Sequence, residues 1–216
     1  MLRCDSPAPV NGQTIPSPTN ISPTMATSLT NSHHDPKHHH IWLVTGPAGC
    51  GKSTVAKYLA TALDVPYIEG DEFHPPSNIE KMKNGIPLTD TDRWEWLTTL
   101  RQEALHQLEA GKKGVVMTCS ALKRKYRDVI RVAPYFSPDL QLHFIYLHAP
   151  EEVLLKRVTA RQGHYMGANM VHSQFEGLEP PTEVETDVIS IDVTRSIEEV
   201  HKEVLSEALG KMDKDK

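Results

Sequence analysis

The fold of this chain is decided by one short stretch, Gly46-Pro47-Ala48-Gly49-Cys50-Gly51-Lys52-Ser53. The stretch matches the pattern G-x-x-x-x-G-K-[ST] at every fixed position. An apolar run at 41–45 precedes it, and positions 55, 59 and 63 after it carry Val, Leu and Leu on one helix face. The pattern therefore predicts a P-loop, set between a buried strand and an amphipathic helix, that holds the phosphates of a nucleotide.

Each part of this loop has a predicted role in binding ATP. The glycines let the backbone approach the phosphates, and the helix N-terminus adds partial positive charge beneath them. Lys52 is predicted to reach the β- and γ-phosphates and to act in catalysis, while the Ser53 hydroxyl is predicted to ligate Mg²⁺. The residues predicted to bind ATP here are Gly46, Pro47, Ala48, Gly49, Cys50, Gly51, Lys52, Ser53 and Thr54.

Cys50 lies inside the loop and is expected to be a filler there. An alternative hypothesis is that N–H groups and Lys52 lower its pKa, so that oxidation of the thiol would inhibit the protein. The other cysteines, Cys4 and Cys119, are far away in sequence, without metal-ligand or disulfide spacing. Cysteine usage therefore favours a reducing, cytoplasmic location.

The composition argues against two classes of partner. The 216 residues carry a formal net charge of -5, whereas nucleic-acid binders usually present a basic face. The N-terminus lacks the apolar core of a signal peptide, and no apolar run approaches the length that crosses a bilayer. We therefore expect neither nucleic acid nor membrane as a partner.

Residues 1–40 differ in composition from the rest of the chain. They are rich in Pro, Ser, Thr and Asn and show almost no aliphatic periodicity, which predicts a disordered N-terminal tail. A histidine-rich run at 33–40 ends this tail and is expected to be a solvated linker rather than a metal site. One domain is predicted over 41–210, followed by a disordered C-terminal tail at 211–216.

Beyond the tail, short apolar runs alternate with helical segments, which predicts βαβ units and a parallel sheet. A helix stripe begins at Trp94 and is predicted to stop before Gly111, and Ser196 with Glu199 predicts a capping box for a last helix. The predicted architecture is a three-layer α/β sandwich. Its strands are predicted at 41–45, 66–69, 114–118, 140–147 and 188–191.

A P-loop alone leaves GTPases, motor and transporter ATPases and small-molecule kinases open. The chain has neither the guanine-specifying N-K-x-D motif nor a signature of the L-S-G-G-Q kind. Ligands of open α/β sheets bind at the carboxyl ends of the strands. Charged residues cluster in such places, at 69–74, 120–125 and 157–164.

Several short motifs lie in and beside these clusters. They are E-G-D at 69–71 with H-P at 74–75, N-I-E-K-M at 78–82, G-I-P-L-T-D-T-D-R at 85–93, C-S-A-L-K at 119–123 with Y-R-D at 126–128, R-Q-G-H at 161–164 and S-Q-F-E at 173–176. In this combination the chain resembles the thermoresistant-type gluconokinases. The resemblance runs from about Ile41 to the last helix.

The resemblance implies a three-layer α/β/α P-loop kinase fold of the nucleoside-monophosphate-kinase type. Its parallel five-stranded sheet would have the order 2-3-1-4-5, with a lid at about 162–181. The implied reaction converts ATP and D-gluconate to ADP and 6-phospho-D-gluconate, with Mg²⁺ as cofactor. The resemblance also suggests a homodimer.

The acceptor side of the site is expected to be built from the loops after the second and third strands. Asp71 is placed to orient the 6-hydroxyl of the substrate and to accept its proton. Two alternative roles for Asp71 are a helix N-cap and an outer ligand of Mg²⁺. Glu69, where related kinases often carry Asp, is the second predicted metal residue. The residues that the resemblance assigns to gluconate, beside Asp71, are His74, Arg93, Lys123, Arg127 and Gln174.

Three residues are expected to complete the nucleotide side. Arg157 and Arg161 are four positions apart and so lie on one helix face. As in kinases of this fold, Arg157 is predicted to stack on adenine and Arg161 to clamp the transferring phosphoryl group as a catalytic residue. Thr194, after the last strand, is predicted to line the adenine pocket.

Two further functions remain open from the sequence. One is another small-molecule kinase, acting on shikimate or a nucleoside monophosphate. The other is a catalytically silent nucleotide-binding module, against which stands the presence of Lys52, Ser53, Asp71 and Arg161 together.

Overall fold

The computed structural model describes residues 38–160 and 168–214 of the chain. Within them the strands are β1 (His39–Thr45), β2 (Tyr67–Ile68), β3 (Gly114–Thr118), β4 (Leu140–His148) and β5 (Val188–Asp192). The α-helices are α1 (Lys52–Leu63), α2 (Pro76–Lys83), α3 (Asp90–Glu109), α4 (Arg124–Ile130), α5 (Ala133–Phe136), α6 (Glu151–Thr159), α7 (Ala168–Glu176) and α8 (Ile197–Lys214), and a 3₁₀ helix spans Gly70–Phe73.

The five strands form one parallel sheet in the order β2-β3-β1-β4-β5. Ile41 in the central strand β1 pairs with Val115 of β3 on one side and with Leu142 of β4 on the other. This order confirms the expected 2-3-1-4-5 sheet. Because every strand is parallel, the loops after all five strands lie at the same edge of the sheet, where ligands of such folds bind.

Side-chain alternation along β1 divides the core into two layers. Ile41 and Leu43 pack with α3, α4 and α5, while Trp42 and Val44 pack on the other face with α1 and α8. All four side chains are at most 1% exposed, as expected of a sheet covered on both faces. The three-layer architecture is thus confirmed.

The helices confirm two predicted boundary signals, and they show that one predicted core position is wrong. Ser196 and Glu199 exchange the hydrogen bonds of a capping box at the start of α8, and Gly111 follows the end of α3 in a left-handed conformation. Trp94, expected on the buried stripe of α3, is 38% exposed, whereas Trp96 is 2% exposed and belongs to the core. The apolar stripe is therefore displaced by two residues at its N-terminal end.

The predicted disorder of residues 211–216 is wrong for its first four residues. Helix α8 continues through Lys214, since Met212 still packs against the core layer on the α1 side of the sheet. The predicted N-terminal tail and the expected lid overlap residues 1–37 and 161–167, which lie outside the described part of the chain. None of the described helices is both long and apolar enough to span a membrane.

Candidate active site

The P-loop between β1 and α1 has the backbone that its glycines allow. Gly46, Gly49 and Gly51 have φ values of 140, 83 and 94°, in the left-handed region that favours glycine. At Gly46 there is also no room, because a Cβ there would lie 2.4 Å from the Leu147 carbonyl oxygen. The central strands therefore approach the loop so closely that only glycine fits at its first position.

Lys52 at the start of α1 folds back over this loop. Its Nζ donates hydrogen bonds to the carbonyls of Gly46 (3.0 Å) and Pro47 (3.1 Å). The ammonium group is thereby held above the loop, inside a cleft that Lys52 lines together with Ser53 and Thr54. This is where the predicted role of Lys52, charge neutralisation of the phosphates, requires it.

Cys50 is filler, and the alternative hypothesis for it rests on a wrong premise. The side chain is 2% exposed, and its sulfur lies under the loop, 2.9 Å from where a Cβ on Gly46 would be. Burial raises the pKa of the Cys50 thiol, and the opposing effect of Lys52 does not offset it. The activation of this thiol that the alternative hypothesis requires is therefore absent, and the expected role of Cys50 as a buried packing residue fits the structure.

Glu69 is held by two hydroxyl groups, of Tyr67 and Thr118, that were not among the predicted site residues. Tyr67 donates to its Oε2 and Thr118 to its Oε1, each at 2.5 Å. Burial acts to raise the pKa of Glu69, but the hydrogen bonds from Thr118 and Tyr67 outweigh it and bring the pKa below its ordinary value. The carboxylate is therefore anionic at neutral pH and fixed in direction at the ends of β2 and β3.

Asp71 follows in the first turn of the 3₁₀ helix. The turn is seated by Gly70, whose N–H donates to Thr118 (3.0 Å) and where a Cβ would meet the Thr118 carbonyl oxygen at 1.9 Å. The Asp71 carboxylate lines the cleft, whose walls raise its pKa by withdrawing it from water, while Lys52 acts in the opposite direction. A carboxylate with a raised pKa facing a lysine is suited to accept a proton from a hydroxyl group.

His74 is a neutral hydrogen-bonding group in the same wall. Its ring stacks on Trp96 at 3.9 Å between centroids, and the indole N–H of Trp96 donates to the Gly70 carbonyl (2.7 Å). Burial and the nearby Arg93 lower the pKa of His74 to about 4. His74 thus reaches the cleft uncharged, with Trp96 fixing its position.

Arg93 and Lys123 supply the cations of this wall. Arg93 donates to the carbonyls of Leu88 and Thr89 (3.0 Å for Thr89), rather than forming the ion pair with Asp90 or Asp92 that was its alternative. Lys123 precedes α4, and its Nζ lies 3.8 Å from Asp90. Both cations line the cleft.

Residues from both the predicted donor side and the predicted acceptor side line one cavity of about 480 Å³. A cavity of this size accommodates a small organic substrate beside nucleotide phosphates. Its walls include Ala48, Gly49, Gly51, Lys52, Ser53, Thr54, Glu69, Asp71, His74, Arg93, Ser120, Lys123 and Gln174. Tyr126, which belongs to one of the quoted motifs but was not predicted as a site residue, also lines it.

Arg127 is not part of this cavity, and its predicted contact with gluconate is wrong. Its guanidinium is 2% exposed and donates to both oxygens of Glu185, at 2.7 and 2.8 Å. Further bonds go to backbone carbonyls, including that of Glu179 (3.1 Å). With its donors occupied in the interior, Arg127 holds the segment before β5 against α4.

The predicted nucleotide-side residues lie around the end of β5. Arg157 on α6 donates to the Val193 carbonyl (2.7 Å), next to Thr194. The backbone N–H and the hydroxyl of Thr194 both bond the Asp192 carboxylate. The structure therefore places Arg157 and Thr194 beside each other, whereas Arg161 lies outside the described residues.

Gln174 on α7 contacts the P-loop directly. The Ala48 N–H donates to its Oε1 at 2.7 Å, over a sequence separation of 126 residues. Val171 on the same helix is fully buried against Ala48 and Val158. A residue expected on the acceptor side is thus attached to the donor loop.

Comparison with known proteins places these features in a family. The AAA domain family model matches residues 43–175. "Probable gluconokinase" of Schizosaccharomyces pombe is 49% identical to this chain, over 77% of this chain and 86% of its own length. The thermoresistant gluconokinase of Escherichia coli is 40% identical, over 80% of this chain and 93% of its own length. The crystal structure of a gluconokinase from Sinorhizobium meliloti superposes with a TM-score of 0.70 at 38% identity, over 83% of this chain and 95% of that one.

Proposed function

The chain belongs to the gluconokinase family and is an ATP-dependent kinase of gluconate, and we propose that it phosphorylates D-gluconate at the 6-hydroxyl. The products are then ADP and 6-phospho-D-gluconate, which feeds the pentose phosphate pathway. The residue assignments are supported by one cavity, which P-loop residues and acceptor-side residues line together. These are Lys52 and Ser53 on the P-loop side and Asp71, His74, Arg93 and Lys123 on the acceptor side.

On the donor side, the loop amides and Lys52 hold the phosphates. The residues fit Mg²⁺, because this ion is commonly bound by one or two protein oxygens together with substrate phosphates and water. Ser53 and Glu69 are the oxygens that would hold it, and no cluster of three or more His, Cys, Asp or Glu within the described ranges offers an all-protein site. Bound Mg²⁺ would neutralise charge on the phosphates.

On the acceptor side, we assign the 6-hydroxyl to Asp71. Phosphoryl transfer depends mainly on positioning and charge stabilisation, so Asp71 orients the hydroxyl and receives its proton. Arg93 and Lys123 are the cations for the gluconate carboxylate, and neutral His74 suits the hydroxyl groups along the chain. Arg161 retains its proposed role on the transferring phosphoryl group, and Arg157 its role at the adenine.

An acceptor screen tests this function. ADP release is measured with gluconate, shikimate, AMP and CMP, each against a reaction without acceptor. We expect turnover with gluconate and background rates with the other three. Turnover confined to a nucleoside monophosphate would overturn the assignment, and ATP binding without ADP release on any acceptor would point to a silent nucleotide-binding module.

We also propose that the protein is a homodimer. The support is an apolar patch at α5, where Tyr135 and Phe136 are 85% and 61% exposed and Val132 is 39% exposed. Light scattering after gel filtration should give twice the mass of 24.2 kDa. A Tyr135→Glu, Phe136→Glu variant should shift this mass to that of the monomer, and a monomeric wild-type protein would contradict the proposal.

A further inference from the structure

The hydrogen bond between Ala48 and Gln174 uses a donor of the P-loop itself. Backbone N–H groups of such loops are the groups that bind phosphate. Here one of them is taken by a neutral carboxamide oxygen from a helix that follows in sequence more than a hundred residues later. A carboxylate in its place would put a negative charge against the phosphates, whereas a carboxamide does not.

The bond also determines which way the carboxamide points. The two orientations of a carboxamide, related by exchange of its oxygen and nitrogen, have the same shape. Because Oε1 accepts from the Ala48 N–H, the NH₂ group of Gln174 lies on the other side of the amide. Among the described residues none accepts a hydrogen bond from Nε2. Gln174 lines the cavity, so two N–H donors remain for a ligand there.

Packing makes this placement rigid. Val171, one turn before Gln174, is fully buried between Ala48 and Val158, and Phe175 packs against the same cluster. After the helix, the Glu179 N–H donates to the Leu122 carbonyl (2.9 Å), next to Lys123. The segment around Gln174 therefore contacts the P-loop at one end and the Lys123 loop at the other, which places the carboxamide where donor and acceptor groups meet.

We propose that Gln174 binds the transferring phosphoryl group: Oε1 accepts from the Ala48 N–H while Nε2 donates to an oxygen of the γ-phosphoryl group. This inference rests on the proposed function for the identity of the acceptor only. It differs from the contact with gluconate that the sequence suggested for the same residue. Hydrogen bonds to charged groups are the stronger kind, so the contribution to binding is about tenfold to a hundredfold.

Two variants distinguish a role in phosphate binding from a purely structural role, in which Gln174 would only attach α7 to the P-loop. Gln174→Glu keeps an oxygen for the Ala48 N–H but loses both donors and adds a charge facing the phosphates. Gln174→Met keeps the length of the side chain and loses both bonds. Gln102→Glu makes the same chemical change as the first variant on the exposed surface of α3 and serves as the matched control.

The first measurement is the affinity for ADP and for a non-hydrolysable ATP analogue, without gluconate. We expect Gln174→Glu to weaken the ATP analogue by at least tenfold and ADP by less than threefold, and Gln102→Glu to change neither. Equal losses for both nucleotides would overturn the proposal, as would a Gln174→Glu protein with wild-type affinities. Because no acceptor is present, failure of the gluconate assignment would leave this result unaffected.

The second measurement is steady-state phosphorylation of gluconate. Both variants should lower kcat by about tenfold or more, with Gln174→Glu the slower, while the KM for gluconate changes little. A raised KM for gluconate with unchanged kcat would instead place Gln174 on the acceptor and overturn the proposal. Thermal unfolding within a few degrees of wild type confirms that each variant is folded.

Discussion

The ion pair between Arg127 and Glu185 should make a large contribution to stability, which Glu185→Gln tests. Both side chains are buried, 2% and 3% exposed, and two hydrogen bonds of 2.7 and 2.8 Å join them. Glu185 also accepts from Arg131 (2.6 Å). Glutamine keeps the size of the side chain but leaves the buried Arg127 guanidinium without its counter-charge, whereas Arg131 keeps Asp128 and Asp187.

The size of the effect follows from the general cost of breaking a buried ion pair, and the lowered pKa of Glu185 has the same sign. Removing one partner of a buried ion pair costs about 3–5 kcal/mol. Arg127 is the main cause that lowers the pKa of Glu185 to about 2, against an ordinary 4.5, and this difference corresponds to about 3 kcal/mol. We therefore expect Glu185→Gln to lower the free energy of unfolding by about 3 kcal/mol at neutral pH.

Urea denaturation followed by tryptophan fluorescence measures this difference. For a slope of about 2 kcal/mol per M, the midpoint should fall by about 1.5 M. Glu183→Gln makes the same change on an exposed residue two positions away and should stay within about 0.5 kcal/mol of wild type. A midpoint for Glu185→Gln equal to that of this control would show that the buried ion pair does not supply this stability.

The same pair predicts a pH dependence and a kinetic result. Since the folded-state pKa of Glu185 is lowered, its stabilisation is complete above about pH 4.5 and is lost as the pH falls towards 2. The difference between wild type and Glu185→Gln should therefore shrink below pH 4.5. Because Arg127 lies outside the cavity, the folded variant should keep the wild-type KM for gluconate, and a tenfold rise would restore Arg127 to the substrate site.

Three other predictions concern the cavity. Asp71→Asn should lower kcat by a factor of about 10²–10⁴, and near-normal turnover would exclude Asp71 as the base. The variant should not lose thermal stability, because the raised pKa of Asp71 means that its charged carboxylate is unfavourable in the folded state. Tyr67→Phe removes one of the two hydroxyl groups that donate to Glu69, so it should raise the Mg²⁺ concentration for half-maximal activity about fivefold. It should also weaken the binding of MgADP more than that of ADP, and unchanged Mg²⁺ titrations would contradict this. Because the Cys50 thiol is buried and its pKa is raised, peroxide without reductant should leave the activity of the folded protein intact for as long as the thiols of the unfolded protein take to be oxidised. Rapid inactivation that Cys50→Ala abolishes would show the opposite.

Much of the fold could be predicted because its signals are local. A strand, a glycine-rich turn and an amphipathic helix are each specified by residues within a few positions of one another, and the stretch 39–63 contains all three in succession. The capping box of Ser196 and Glu199 is equally local. The phase of the α3 stripe could not be predicted in this way, since Trp94 and Trp96 are equally apolar and it is tertiary packing, including the stacking on His74, that buries Trp96.

The candidate site shows where local patterns stop. Arg93, Lys123 and Arg127 have the same positive charge in the sequence, and all three belong to motifs that resemble a substrate site. Only the position of Glu185, 58 residues after Arg127, removes that arginine from the cleft. Similarly, the hydroxyl of Thr118 reaches Glu69 only because β3 lies next to β2 in the sheet.

From the sequence alone came the prediction of a P-loop at Gly46 to Ser53, the parallel sheet, and the resemblance to the gluconokinases. These conclusions depend on backbone conformation and residue type, which short stretches specify. The tertiary structure alone decided which charged groups face the cleft and which are paired inside the protein. It also attached Gln174 to Ala48, because contacts between distant segments are set by the packing of helices on the sheet and leave no mark in neighbouring residues.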